Sequence, residues 1–274
     1  MSAASTKTRA PWAPGVRAAA IEEFGRRNAG RPLAPVVVVI AALDEEESVG
    51  DVVRNVPATA CGLSVECLVV DDGSGDATSA VADAAGARVA RLERNCGHGV
   101  ALRVGYELAR VHGGEYIVTL DADGQWDPLE LPRVLEPVAR GEADFVIGSR
   151  VLGSVETDDA FRRAGVHVFA ALARLLTGVH VTDTSSGFRA FGVAVPATVR
   201  QEQVQYQTSE LLIGAIARGY RVAERPVVMH KRTAGESKKG GNVLYGFRYA
   251  RVILTTAWRE RRGLVARRRA RRRA

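Results

Sequence analysis

Residues 36–41 constrain this chain more than any other stretch. Val36, Val37, Val38, Val39, Ile40 and Ala41 run without a polar interruption, and five of the six are β-branched. A surface helix would show an apolar stripe with a period of about 3.6 residues, and a half-exposed strand would alternate with polar residues. A run with neither period fits a strand covered on both faces, as in a parallel sheet with helices above and below. Asp44, Glu45, Glu46 and Glu47 then suit the first turn of a helix reaching about residue 55. Further strands are expected at 66–70, 88–92, 116–120 and 144–147, with helices at 76–85, 99–111 and 129–139 between them. This alternation predicts βαβ units and an α/β fold on a mostly parallel sheet.

Beyond Arg150 the alternation weakens. Helices are expected at 161–176 and 207–218, an extended segment at 186–191, a strand at 221–229, and a polar, glycine-rich loop at 230–242. The chain divides into a leader at 1–34 with a short helix at 17–27, a main domain at 35–242, and a final segment at 243–274. That last segment combines an amphipathic helix at 243–258 with an arginine-rich tail.

The chain has 274 residues, 46% hydrophobic and 25% charged, enough to build a core and too apolar for wholesale disorder. Its longest apolar run, 36–43, is far short of the roughly 20 residues that cross a bilayer. The first 20 residues lack the apolar centre of a secretory signal. Cys61, Cys67 and Cys96 show no metal or redox spacing and read as reduced thiols in a cytoplasmic protein. The net charge of +7 is unevenly placed: residues 259–274 hold nine arginines and Glu260, which sum to +8 and leave −1 for the rest.

Three acidic clusters follow predicted strands: Asp44-Glu45, Asp71-Asp72 and Asp121-Ala122-Asp123. Ligands of open α/β sheets bind at the carboxyl ends of strands, so all three lie where a site would form. The first two could equally be helix caps. The third has Gln125 two residues on, and alternate residues of an extended segment face one way. Three oxygen-bearing side chains can therefore converge, and hard oxygen ligands suit Mg²⁺ or Mn²⁺ bridging to phosphates. Gly73-Ser74-Gly75 and Gly97-His98-Gly99 begin GxGxxG patterns, but Thr78 and Leu102 replace the third glycine, which argues against a dinucleotide fold. The cation-rich loop from Arg232 through Lys239 could cancel the charge of a diphosphate, although taken alone it reads as an ordinary exposed loop.

Taken in order, these blocks carry a resemblance. Ile40 through Glu45, Val69 through Ser74, Asp121 through Gln125 with Asp127-Pro128, Gly148-Ser149-Arg150, Ser186 through Arg189, and Arg232-x-x-Gly235-x-Ser237-Lys238 match in sequence. The chain resembles family 2 glycosyltransferases of GT-A fold, specifically the dolichol- or polyprenol-phosphate mannose synthase group. The resemblance covers about 36–239. It implies that Glu45, Val69 and Asp71 hold a nucleoside, and that Asp121, Asp123 and Gln125, with Ala122 between them, hold a metal on the diphosphate. Arg150, Arg232 and Lys238 would complete the donor site, with Asp123, Arg232 and Lys238 bearing the catalytic load. Arg162 and Arg189 match positions near an acceptor phosphate. The group's proline and tyrosine before the first acid are replaced by Ala41 and Leu43, and His98 stands where lysine is frequent.

The implied reaction is metal-dependent, inverting transfer of a hexose from GDP-mannose or a UDP-hexose to a polyprenyl or dolichyl phosphate. A phosphate monoester is largely ionised at neutral pH and needs no general base. For a hydroxyl acceptor, Glu210 is the carboxylate to consider; its alternative role is capping or pairing within its helix. Transfer to a soluble small-molecule acceptor is the main rival. A nucleic-acid-binding protein working through the arginine tail is remote, since the rest of the chain is near neutral and carries no binding motif. The tail could instead hold the enzyme peripherally on an anionic membrane at its inner face, preceded as it is by Tyr245, Phe247, Tyr249 and Trp258, or it could be simply solvated.

Overall fold

The computed structural model describes residues 14–156, 160–232 and 242–271. A first helix, α1 (Pro14–Arg27), leads to β1 (Val36–Ala42), whose seven residues are all buried. There follow α2 (Val49–Asn55), β2 (Thr59–Ala60), β3 (Leu63–Asp71), α3 (Thr78–Ala84), β4 (Arg88–Arg91), α4 (His98–Val111) and β5 (Tyr116–Asp121). A short 3₁₀ turn at Pro128–Glu130 opens α5 (Leu131–Ala139). The second half contains β6 (Phe145–Val155), α6 (Ala160–Thr177), β7 (Arg189–Gly192), α7 (Ala194–Thr198), α8 (Gln207–Ala217), β8 (Val222–Met229), α9 (Asn242–Arg259) and α10 (Arg261–Arg271).

Among these residues the eight strands form one mixed sheet in the order β2-β3-β1-β5-β7-β6-β8, with β4 paired to β3. β1 runs parallel to both β3 and β5, as the alternating pattern requires. The antiparallel pairs are β2 with β3, and β7 with β5 on one side and β6 on the other. The unbroken apolar run of β1 now has its cause. Val37, Val39 and Ala41 enter a core shared with α1, α4, α8 and α9, while Val36, Val38 and Ile40 enter one shared with α2 and α5. Each half of the alternation meets a different helical layer, so no position is left for a polar residue.

Several elements differ from expectation. The extended segment at 186–191 pairs only over Arg189–Gly192, because Arg189 is bonded back onto the preceding loop. β6 continues to Val155, with its register against β8 shifting between Ser149 and Ser154, and such irregularities re-aim side chains. The arginine run is helical: Arg267 donates to the carbonyls of Ile216 and Tyr220, and Arg268 to those of Leu175 and Leu176. The ends of α8 and α6 thereby gain cationic caps.

The chain leaves β1 toward β3 and returns to its other side at β5. That reversal opens a crevice at the carboxyl ends of β1, β3 and β5.

Candidate active site

The loops after β1 and β3 are laced together. Asp44 takes φ 48°, donates its N–H to Ser74 Oγ at 2.9 Å, and accepts from Gly75 N at 2.8 Å through Oδ1. Glu46 accepts from Ala77 N at 2.8 Å. Asp44 and Glu46 are thus engaged in bracing. Glu45 is the member left for the crevice: its side chain accepts from Ser48 Oγ at 3.1 Å and from Arg232 at 2.9 Å.

Asp71, at the end of β3, is fully buried. It accepts from Ser74 N at 2.7 Å, from Arg91 at 3.0 Å and from Ser79 Oγ. Its neighbour Asp72 accepts from Cys96 N and Gly97 N at 2.7 and 2.8 Å, fixing the turn that starts α4. Val69 is buried in the core beside α2, so its side chain offers nothing to solvent. For Asp71 to meet a nucleoside directly, Arg91 or Ser79 must yield.

The edge of β5 is more open. Asp121 accepts from Trp126 Nε1 at 3.0 Å, and Gly187 lies so close that a Cβ there would press on both Asp121 oxygens. Asp123 accepts from Gln125 N at 3.1 Å and from Arg232 at 3.3 Å. Ala122, between them, is buried. Gln125 is tied to the end of β8: its Nε2 donates to His230 O, and its own carbonyl accepts from His230 N at 2.8 Å. One guanidinium, Arg232, therefore spans carboxylates from two strand ends. This donor set fits a hard divalent cation, which commonly uses one or two carboxylates plus substrate phosphates. Among the described residues no three His, Cys, Asp or Glu side chains converge as a complete metal site, so the ligand would supply part of the shell.

Arg150 sits 5.4 Å above the Trp126 ring and pairs with the fully buried Asp183 at 2.6 Å. Burial alone would raise the Asp183 carboxyl, but the Arg150 charge and its hydrogen bonds outweigh that and hold it below the ordinary carboxylate range. Arg150 is desolvated too, yet Asp183 keeps its pKa above the usual value. Glu224 on β8 accepts from the N–H groups of Thr182 and Asp183, anchoring this loop from below. Asp183, Trp126 and Glu224 escaped the sequence reading, because their partners lie well away along the chain or are not implied by any local pattern.

Two expectations need correction. Arg189 is 1% exposed and spends its guanidinium on the carbonyls of Ser186, Thr184 and Thr208. It holds the loop that seats Gly187 against Asp121 and cannot meet an acceptor phosphate from there. Glu210 is also enclosed: it accepts from Glu202 N, Gln203 N and Arg259. Its partners lie outside its own helix, in the preceding loop and on α9, so the pairing is between elements and not within α8 as expected. Lys238 and the side chain of Arg162 lie outside the described residues. His98, exposed at the start of α4, borders a cavity of about 10 Å³ behind Asp121.

A family model described as glycosyl transferase family 2 matches residues 37–195. The polyprenol monophosphomannose synthase of Mycolicibacterium smegmatis is 34% identical over 224 residues, spanning 77% of this chain and 83% of that protein. The dolichyl-phosphate hexose transferase of Haloferax volcanii is 33% identical over 204 residues, 74% of this chain and 86% of that protein. Among solved structures, glucosyl-3-phosphoglycerate synthase from Mycobacterium tuberculosis, in complex with Mn²⁺, UDP and glucosyl-3-phosphoglycerate, superposes with a TM-score of 0.65. It shares 24% identity and covers 86% of this chain and 84% of that one.

Proposed function

The chain belongs to glycosyl transferase family 2 and has a GT-A fold, and from that premise we propose that it moves a hexose, with inversion, from a nucleotide diphosphate sugar to a polyprenyl or dolichyl phosphate. The observation that carries this reading is the Arg232 guanidinium bridging Glu45 and Asp123, beside Asp121, at the carboxyl edge of the sheet. Such a cluster suits a ligand that brings both a cation and a diphosphate. The acceptor class follows from the names of the relatives, a dolichyl-phosphate hexose transferase and a polyprenol monophosphomannose synthase.

Asp121, Asp123 and Gln125 would hold Mg²⁺ or Mn²⁺, which when bound neutralises charge on the leaving diphosphate. Glu45 would line the nucleoside end of the donor site, and Asp71 would join it once Arg91 or Ser79 yields. Arg232 exchanges its carboxylate partners for phosphate oxygens, and Lys238 and Arg150 add positive charge there. The acceptor phosphate attacks the anomeric carbon without a protein base, and Arg162 would face it. GDP-mannose and a UDP-hexose are the two donors to test. Among the described residues no helix is long and apolar enough to cross a membrane. The proposed setting is the cytoplasmic, inner face of a membrane, held peripherally by the arginine-bearing C-terminal helices.

The test is a screen of nucleotide sugars against undecaprenyl and dolichyl phosphate with Mg²⁺ or Mn²⁺, reading radiolabel that partitions into organic solvent. Asp123→Ala should abolish the signal. Full metal-dependent transfer by that variant would sink the metal assignment. Label that enters only water-soluble products would replace the lipid acceptor with a soluble one.

A further inference from the structure

We infer that the open groove between α6 and the outer part of β6 receives the isoprenoid chain of the acceptor; this rests on the lipid-phosphate reading above. The groove encloses about 560 Å³, with walls from Val151 on β6, Ala170, Ala171 and Leu175 on α6, and Val181. Ala170 and Ala171 cut the helix side down to methyl groups, which leaves a trough wide enough for a branched hydrocarbon.

Charge selects the kind of occupant. His167, Arg174 and His180 line the groove, and among the described residues no carboxylate does. That asymmetry suits an amphiphile whose apolar chain lies along the walls while the mouth meets anionic headgroups. Position supports the same occupant. Thr182 and Val151 line the groove, and their neighbours Asp183 and Arg150 form the buried pair stacked over Trp126 beside Asp121. The groove thus begins one residue along the chain from that pair, where a lipid with its phosphate in the donor site would lay its chain. Leu175 in its wall is 74% exposed, and Leu152 and Val168, next in sequence to the lining residues Val151 and His167, are 50% and 62% exposed. Apolar side chains so exposed next to a trough gain by packing against lipid.

The test uses the full chain in detergent micelles, with anisotropy of a fluorescent undecaprenyl phosphate as a readout independent of turnover. Ala171→Trp fills the trough from an exposed helical position, and Leu175→Glu charges the rim. Each should weaken binding of the long lipid, Ala171→Trp by about tenfold or more, because one or two isoprene units would no longer be shielded from water. The ratio of kcat/KM for undecaprenyl over geranyl phosphate should fall in step. Unchanged binding in both variants overturns the assignment, as does equal displacement of the probe by phosphatidylglycerol, which would mark a general phospholipid site. If the wild type binds the lipid in a manner sensitive to Ala171→Trp yet transfers no sugar to it, the groove stands and the catalytic reading falls.

Discussion

Removing the positive partner of Glu210 should destabilise the fold and leave the chemical step largely intact. Glu210 is 0% exposed and Arg259, 18% exposed, donates to it at 2.9 Å. The same guanidinium also donates to Glu202 at 3.0 Å and to the Arg200 carbonyl at 2.9 Å. Breaking one partner from a buried pair costs about 3–5 kcal/mol. Here Glu210 retains two backbone N–H donors and Arg259 is partly solvated, so Arg259→Met should cost about 2–3 kcal/mol, near the value of a charge-assisted hydrogen bond. For a chain of this size that lowers Tm by roughly 4–12 °C. Glu210→Gln keeps an acceptor oxygen and should cost less. Urea denaturation of both single variants and the double variant should yield a coupling energy of about 1–2 kcal/mol. Coupling below about 0.5 kcal/mol would refute the pairing argument. Turnover makes a second, independent check. Were Glu210 a general base, Glu210→Gln would cut kcat by about 10²–10⁴-fold at temperatures where the protein is folded. The geometry predicts a rate within a few-fold of wild type.

Two further perturbations address the donor site and its support. Gly187→Ala places a methyl group against both Asp121 oxygens; Mn²⁺ affinity, followed by electron paramagnetic resonance, should fall, with a stability loss of about 1–3 kcal/mol from overpacking. Undiminished Mn²⁺ binding and transfer would show that Asp121 is not held against that loop. Asp183→Asn tests a pH dependence of defined sign. The folded carboxyl titrates below its unfolded value, so its contribution to stability is complete above the unfolded pKa of about 3.9 and disappears as pH falls through the folded value. The variant should flatten the acid limb of the unfolding profile below roughly pH 4, and an unchanged limb would remove Asp183 from the account.

What could be read from the sequence divides along physical lines. The β1 run, the parallel pairing of β1 with β3 and β5, and the placement of acids at strand ends follow from periodicity and chain direction, which are local. The antiparallel β7 does not. It forms because Arg189, buried and bonded to three carbonyls, forces the preceding loop to fold back, and those carbonyls come from two separate segments. The same reason hid the partners of Arg150: an arginine after a strand reads as a free cation until Asp183, thirty-three residues later, is brought to 2.6 Å. Asp71 and Asp72 show the converse. Their position predicted a site, and the structure adds a second task that position does not reveal: both fix the turns before α3 and α4.

Charge gives the last step. A count along the chain treats 259–274 as a tail of +8, but α6, α9 and α10 together carry twelve arginines and no carboxylate. Arg259, Arg267 and Arg268 are turned to internal use, on Glu210 and on the carbonyls ending α8 and α6. Deleting the whole tail would therefore remove a buried ion pair and two helix caps along with any surface charge. A loss of membrane binding after such a deletion would be ambiguous. Neutralising exposed positions such as Arg251, Arg262 and Arg269, which lie on the solvent side of the same helices, separates the two effects: surface electrostatics should weaken with salt, at a Debye length of about 8 Å in physiological buffer, while the fold keeps its stability.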